Sequence, residues 1–166
     1  MPSNPPPATR STIQIRPVEW DHPEAIALRS AMGTEMSARY ADRSVPESAF
    51  AVEDDTVAWT ALALDTAARA VGHVALRLLG SAIEVKRMFV LESHRGLGVA
   101  TALLQASHHV ARDLGHHRVL LQTGDRQPDA VRVYERAGYY RIPIFAPYLQ
   151  VPYSICMACD LAGSPV

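Results

Sequence analysis

The stretch best equipped for chemistry covers residues 85–101. An apolar run broken by Lys86-Arg87 leads into a loop with Gly96 and Gly98, and an amphipathic run follows at once. A helix starting on such a loop presents its first N–H groups unpartnered, together with a partial positive charge. Glycines let the backbone come close to an anion. Residues 96–101 can therefore form a phosphate cradle, with Arg95 adding a side-chain charge. The same spacing also fits a glycine-rich turn that holds no ligand. Two other phosphate motifs fall away. There is no G-x-x-x-x-G-K-[ST]. A dinucleotide fingerprint would need a third glycine where Thr101 stands, and it would open its domain rather than follow three strands.

Other suggestive residues are weaker. Lys86 is the only lysine among 16 basic residues. It sits beside Arg87 in a run that otherwise reads as core, where adjacent cations need partners. Cys156 and Cys159 form a C-x-x-C, but in a run that reads as a terminal strand. There, residues three apart point to opposite faces, so both are expected as free thiols. The pairs His108-His109 and His116-His117 do not converge on a metal and are expected to be solvated. No metal site is expected.

The elements that must position these residues follow from hydrophobic periodicity. Ile13 and Ile15 mark a short first strand that stops at Pro17. Asp21-His22-Pro23 opens a helix, with Asp21 as cap, running to about Ala41. Apolar runs over residues 56–64, 70–79 and 82–91 are joined by short links, as antiparallel hairpins require. A helix over about 97–114 follows the glycine loop, and Gly115 ends it. Residues 117–122 read as a strand and 127–138 as a short helix, and strand-like ends flank a loop over 139–161. The order β-α-β-β-β-loop-α-β-α-β-β describes an α/β (α+β) mixed sheet, an antiparallel meander followed by one β-loop-α-β crossover.

Composition sets the outer bounds. The 166 residues suggest one domain, able to bury roughly 70% of its unfolded surface. With 48% hydrophobic and 20% charged residues the chain is globular rather than disordered. Residues 1–11 hold four prolines and read as a disordered tail, leaving 12–166 as the domain. The net charge of −1 lacks the basic excess expected of a nucleic-acid or anionic-membrane partner. No apolar run approaches 18 residues, so no membrane span is expected. Two cysteines make no disulfide framework, and a cytoplasmic location is the expectation.

Two motifs carry a family resemblance. Arg95-Gly96-Leu97-Gly98-Val99-Ala100 fits [QR]-x-x-G-x-[GA], the signature loop of the GNAT superfamily of acyl-CoA N-acyltransferases. Residues 127–139 resemble that family's N-x-x-A-x-x-[LI]-Y-x-x-x-G-[FY] at Ala130, Tyr134, Gly138 and Tyr139, with Gln127 where Asn is common. The element order also matches. The resemblance implies a fourth strand that bulges and splays from the fifth in a V. Acetyl-CoA would lie in the gap, its arm along Met88, Phe89 and Val90 and its pyrophosphate on Gly96, Leu97, Gly98, Val99, Ala100 and Thr101, with Arg95 and Gln127 nearby.

The implied reaction is direct attack of a primary amine on the thioester in a ternary complex, the acceptor being a small molecule. Tyr134 matches the family's usual general acid. Glu84 is a candidate base working through water, sharing a strand face with Lys86, Met88 and Val90. Its alternative is a salt bridge. Glu92 and His94 are weaker candidates. Arg39, Tyr40, Arg77, Lys86 and Arg87 are read as acceptor-side residues, some binding a carboxylate, against surface salt bridges as the alternative. Phe145, Tyr148 and Tyr153 are candidates for an aromatic wall. A non-catalytic acyl-CoA sensor or partner-binding domain, or a protein N-acetyltransferase, are the competing functions. Relatives are often dimers, so the resemblance leaves a homodimer open.

Overall fold

The computed structural model describes residues 12–162. The expected tail and the last four positions of the chain lie outside them. The elements are β1 (Gln14–Pro17), α1 (Pro23–Arg39), β2 (Val57–Leu64), β3 (Ala70–Leu79), β4 (Ala82–Val90), α2 (Val99–Asp113), β5 (Arg118–Gly124), α3 (Pro128–Arg136), β6 (Tyr140–Ile142) and β7 (Ser154–Asp160). This is the expected order. α1 begins one residue later than the sequence reading places it. His22, not Asp21, accepts the Glu24 N–H at 3.3 Å, and Pro23 takes the first helical position. Gly33 does not break the helix. No described helix is long and apolar enough to cross a membrane.

Seven strands form one mixed sheet in the order β1-β2-β3-β4-β5-β7-β6. The strands alternate between two apolar faces. Leu62, Leu64 and Phe89 pack with Ala25 and Leu28 of α1. Ala61, Ala63, Val85 and Val90 pack with Val99, Leu103 and Leu104 of α2. Gly72 permits the second contact: a Cβ there would lie 3.0 Å from Val99 and 3.1 Å from Leu103.

The alternation slips once in β4. Lys86 pairs with Ala75 and Phe89 with His73, so Arg87 and Met88 together face Val74 alone. Arg87 takes a left-handed φ of 53°. This is a β-bulge, which shifts every later side chain by one face. The expected common face of Glu84 and Val90 is therefore wrong. Glu84 and Lys86 share one face, while Val85 and Val90 meet on the other.

The bulge strands the Arg87 carbonyl, and His73 takes it. His73 Nδ1 lies 2.8 Å from that oxygen and Nε2 lies 3.2 Å from the Arg29 guanidinium. Arginine only donates, so Nε2 carries the lone pair and Nδ1 the proton. The ring is fully buried, and burial holds its pKa down at about 4.

β4 and β5 are parallel and pair only at Ile83–Val119, Glu84–Leu120 and Val85–Leu121. Beyond that point β4 runs on to Val90 and β5 to Gly124 without pairing, while β5 stays paired to β7 along its whole length. The two strands therefore open as a V, the splay implied by the resemblance.

The buried His73 ring makes stability depend on pH. Between pH 6.5 and about 4 the unfolded chain protonates this ring and the folded chain does not. Stability therefore falls as pH falls through that window, by up to about 3 kcal/mol from this group. Urea denaturation at pH 7 and pH 4.5 should show a smaller loss for His73→Gln, which keeps a donor for the bulge, than for the wild type.

Candidate active site

The open end of the V is the floor of a cleft of about 1510 Å³. α1 and the segment after it form one wall, and α3 forms the other. The glycine loop and the first turn of α2 close one end.

That end is built from backbone. Gly96 and Gly98 have φ of 75° and 85°, the left-handed region that glycine enters at little cost. Gly98 is the cap residue of α2 and brings no side chain to its free N–H groups, and the first turn holds no acidic residue. Gly98, Val99, Ala100 and Thr101 line the cleft, whereas Leu97 turns outward and is exposed. The N-terminus of α2 thus offers unpaired donors and positive potential to the cleft.

Arg95 is less free than its sequence position suggests. Its Nε donates to the Val90 carbonyl at 3.0 Å and its guanidinium pairs with Glu35 of α1 at 2.7 Å. Glu35 also pairs with Arg39 at 2.9 Å. The hydrogen bond from Arg95 is the main reason the Glu35 carboxyl is held below the usual range. The Val90 carbonyl thus already accepts one hydrogen bond from within the chain.

Across the cleft stands Tyr134 of α3. It is 7% exposed and packs edge-on to Tyr139 with ring centroids 5.8 Å apart. Its hydroxyl makes no hydrogen bond among the described residues, yet it is not a sealed, unsatisfied atom. Burial pushes the phenol well above its ordinary pKa, so it stays protonated at neutral pH.

Glu84 is placed differently from expectation. It is wholly buried and does not line the cleft. One carboxylate oxygen accepts Arg77 Nε at 2.8 Å, and the other accepts the Tyr148 hydroxyl. Both oxygens are engaged by groups that the salt-bridge alternative calls for, and Glu84 is set back from the cleft lining. Arg77 is withdrawn likewise. It is spent on Glu84, the Ala51 carbonyl and Tyr148, and it does not reach the cleft. Lys86 does line the cleft, 7% exposed, and donates to the Tyr148 hydroxyl at 2.7 Å. Burial lowers its pKa to about 8. Of the other base candidates, Glu92 is exposed, and His94 lines the cleft with Nδ1 2.8 Å from Ser93 Oγ.

The mouth is spanned by contacts that sequence reasoning missed. Tyr40, just past α1, lies over Gly124 at the end of β5. A methyl group on Gly124 would overlap the Tyr40 hydroxyl. That hydroxyl accepts the Arg126 backbone N–H at 3.1 Å and Gln127 Nε2 at 3.4 Å. The Tyr40 ring stacks on Tyr153, 5.1 Å between centroids. Arg126 pairs with Asp42 at 2.5 Å and Arg43 with Asp125 at 2.7 Å. The Arg126 hydrogen bond draws the Asp42 carboxyl down to about 2. No local signal marks these pairs, whose members stand more than 80 residues apart.

Residues 19–139 match the Acetyltransferase (GNAT) family. The chain belongs to that family. Over 86 residues it is 35% identical to the IAA acetyltransferase of Azospirillum brasilense, a match covering 52% of this chain and 56% of that protein. The chain thus spans about half the length of that relative. A Klebsiella pneumoniae protein assigned as an acyl-CoA N-acyltransferase superposes with a TM-score of 0.77 at 28% identity, over 90% of this chain and 98% of that one. A GNAT family acetyltransferase from Elizabethkingia anophelis, solved with acetyl-CoA bound, has the same fold, with a TM-score of 0.64 at 16% identity over 90% of this chain and 98% of that one.

The buried network gives a direct test. Tyr148→Phe removes the oxygen that Arg77, Lys86 and Glu84 share, leaving charged groups short of partners. The variant should lose about 2–4 kcal/mol in urea denaturation at pH 7.

Proposed function

We propose that the chain transfers an acetyl group from acetyl-CoA to a primary amine of a small molecule. One observation carries this reading. The unpaired stretch of β4, the uncapped N-terminus of α2 and the hydroxyl of Tyr134 all face a single cleft. A cleft that was merely a packing defect would not collect unpaired backbone groups from two elements.

The residues fit acetyl-CoA by chemistry. The N–H groups of residues 96–101 suit its pyrophosphate, and the absence of acid from the first turn of α2 keeps repulsion low. Phe89 is paired to His73 of β3, and the edge of β4 left open beyond Val85, at Met88 and the Val90 N–H, suits an extended amide-bearing arm, as an added strand would. One fixed N–H there polarises a carbonyl at no reorganisation cost. When bound, acetyl-CoA supplies the activated acetyl thioester. The amine, having lost its ammonium proton to solvent, attacks it; the carbon–nitrogen bond forms as the carbon–sulfur bond breaks, and the proton that nitrogen sheds on becoming an amide replaces the one that Tyr134 gives to the thiolate. Tyr134 holds its proton at the departing sulfur. Burial makes this phenol a reluctant donor. Its hydrogen bond therefore strengthens as charge builds on sulfur, and transfer completes as the thiolate forms. Gln127 lines the cleft at its mouth, with Nε2 donating to the Tyr40 hydroxyl.

Thermal unfolding tests binding. Acetyl-CoA at a hundredfold excess over Kd should add about 2.7 kcal/mol, a rise of roughly 5–10 °C for a domain of this size. Arg95→Glu, which sets a second carboxylate beside Glu35, should shrink that rise. An unchanged melting temperature with acetyl-CoA and with CoA would remove the reading. Tyr134→Phe should keep the thermal shift but lower kcat about 100-fold in thiol-release assays.

A further inference from the structure

Most cations lining the cleft sit beside a carboxylate. Arg95 and Arg39 share Glu35, Arg43 has Asp125, and Arg126 has Asp42. Among the described residues Lys86 and Arg87 do not, and neither does the exposed Arg136. No carboxylate of the described residues lies within 4.0 Å of the Lys86 or Arg87 head groups, although Lys86 is buried and Arg87 half-buried.

Their donors are largely unspent. An ammonium has three N–H donors and a guanidinium five. Lys86 gives one to the Tyr148 hydroxyl, which is then saturated, since it also accepts from Arg77 and donates to Glu84. Arg87 gives one to the Phe50 carbonyl at 2.8 Å. Lys86, Arg87 and Phe50 line the same cleft, and the Phe50 and Tyr148 rings that the two cations' partners belong to are neighbours, 6.3 Å between centroids. Neighbours on a regular strand would point apart, and the left-handed bulge at Arg87 allows them to converge. Arg77, Lys86 and Arg87 are set against the single carboxylate of Glu84. An unbalanced positive wall of low dielectric costs free energy until an anion joins it.

We infer that Lys86 and Arg87 bind a carboxylate of the amine acceptor, making the substrate an amino-acid-type molecule. The inference rests on the acetyl-transfer reading and adds the acceptor class to it. Lys86 and Arg87 directly precede Met88 on β4 and line the same cleft, so the carboxylate corner adjoins the stretch suited to the acyl arm. A molecule whose amine and carboxylate are a few bonds apart fits that adjacency. Arg77 does not line the cleft and takes no part, and Arg39 is already paired with Glu35, which it shares with Arg95.

The test uses the full chain, the twenty amino acids and their methyl esters. First, acetyl-CoA must raise the melting temperature. Failure there overturns the underlying reading, and this inference with it. Then thiol release and melting temperature are measured with each acid and each ester, in the wild type, Lys86→Met, Lys86→Arg and Arg87→Met. The expected result is that at least one free acid is preferred over its ester by tenfold or more in kcat/KM. In Lys86→Met its KM should rise at least tenfold with kcat little changed, and Lys86→Arg should restore part of the loss. Arg87→Met should behave like Lys86→Met. A melting temperature for each variant within a few degrees of the wild type shows that the fold survives. Equal use of acids and esters, no response to either, or a KM indifferent to both residues would overturn the carboxylate site while leaving acetyl-CoA binding intact.

Discussion

Everything in this molecule turns on two parallel strands that share hydrogen bonds at only three positions. β4 and β5 part after Val85 and Leu121. A sheet does not surrender backbone pairing without replacing it. Each strand here is held from its other side, β5 by β7 throughout and β4 by β3 through a bulge. The bulge requires an acceptor-hungry side chain for its stray carbonyl, and the buried imidazole of His73 supplies one. The open gap is therefore maintained by packing on both flanks rather than by strain at its apex.

The two ends of the cleft solve opposite electrostatic problems. At the α2 end positive potential comes from backbone dipoles, and the guanidinium groups of Arg95 and Arg39 are both tied to Glu35. At the β4 end the charge is carried by side chains and is only partly balanced. Glu84, the residue that looks most like a catalytic base in the sequence, is the ballast that allows Arg77 to sit in the interior. A lone buried arginine beside Lys86 would be costly.

Much of this was legible from the sequence, and what was not has a physical reason. The element order followed from periodicity and turn chemistry, and the glycine loop was visible because backbone conformation leaves a mark on residue type at fixed spacing. Tyr134 was singled out through the family resemblance of residues 127–139, and it lines the cleft. Side-chain partnerships left no such mark. Tyr148 read as a loop aromatic and is the completely buried hub joining Arg77, Lys86 and Glu84, 64 residues from the last of these. His108 read as solvated and is buried against Tyr139, 2.8 Å from its hydroxyl. The bulge defeated a simple period-2 argument, because one left-handed residue reverses the face of all that follow.

The seat of Tyr40 on Gly124 bears on how this chain can vary. The hydroxyl of one occupies the volume that a side chain on the other would need. Neither position is free alone. A larger residue at 124 is tolerated only where 40 has become shorter, and a shorter residue at 40 gives up the acceptor used by Arg126 and Gln127. In a comparison of kindred chains these two sites should therefore change together, although no chain segment near either one hints that they touch.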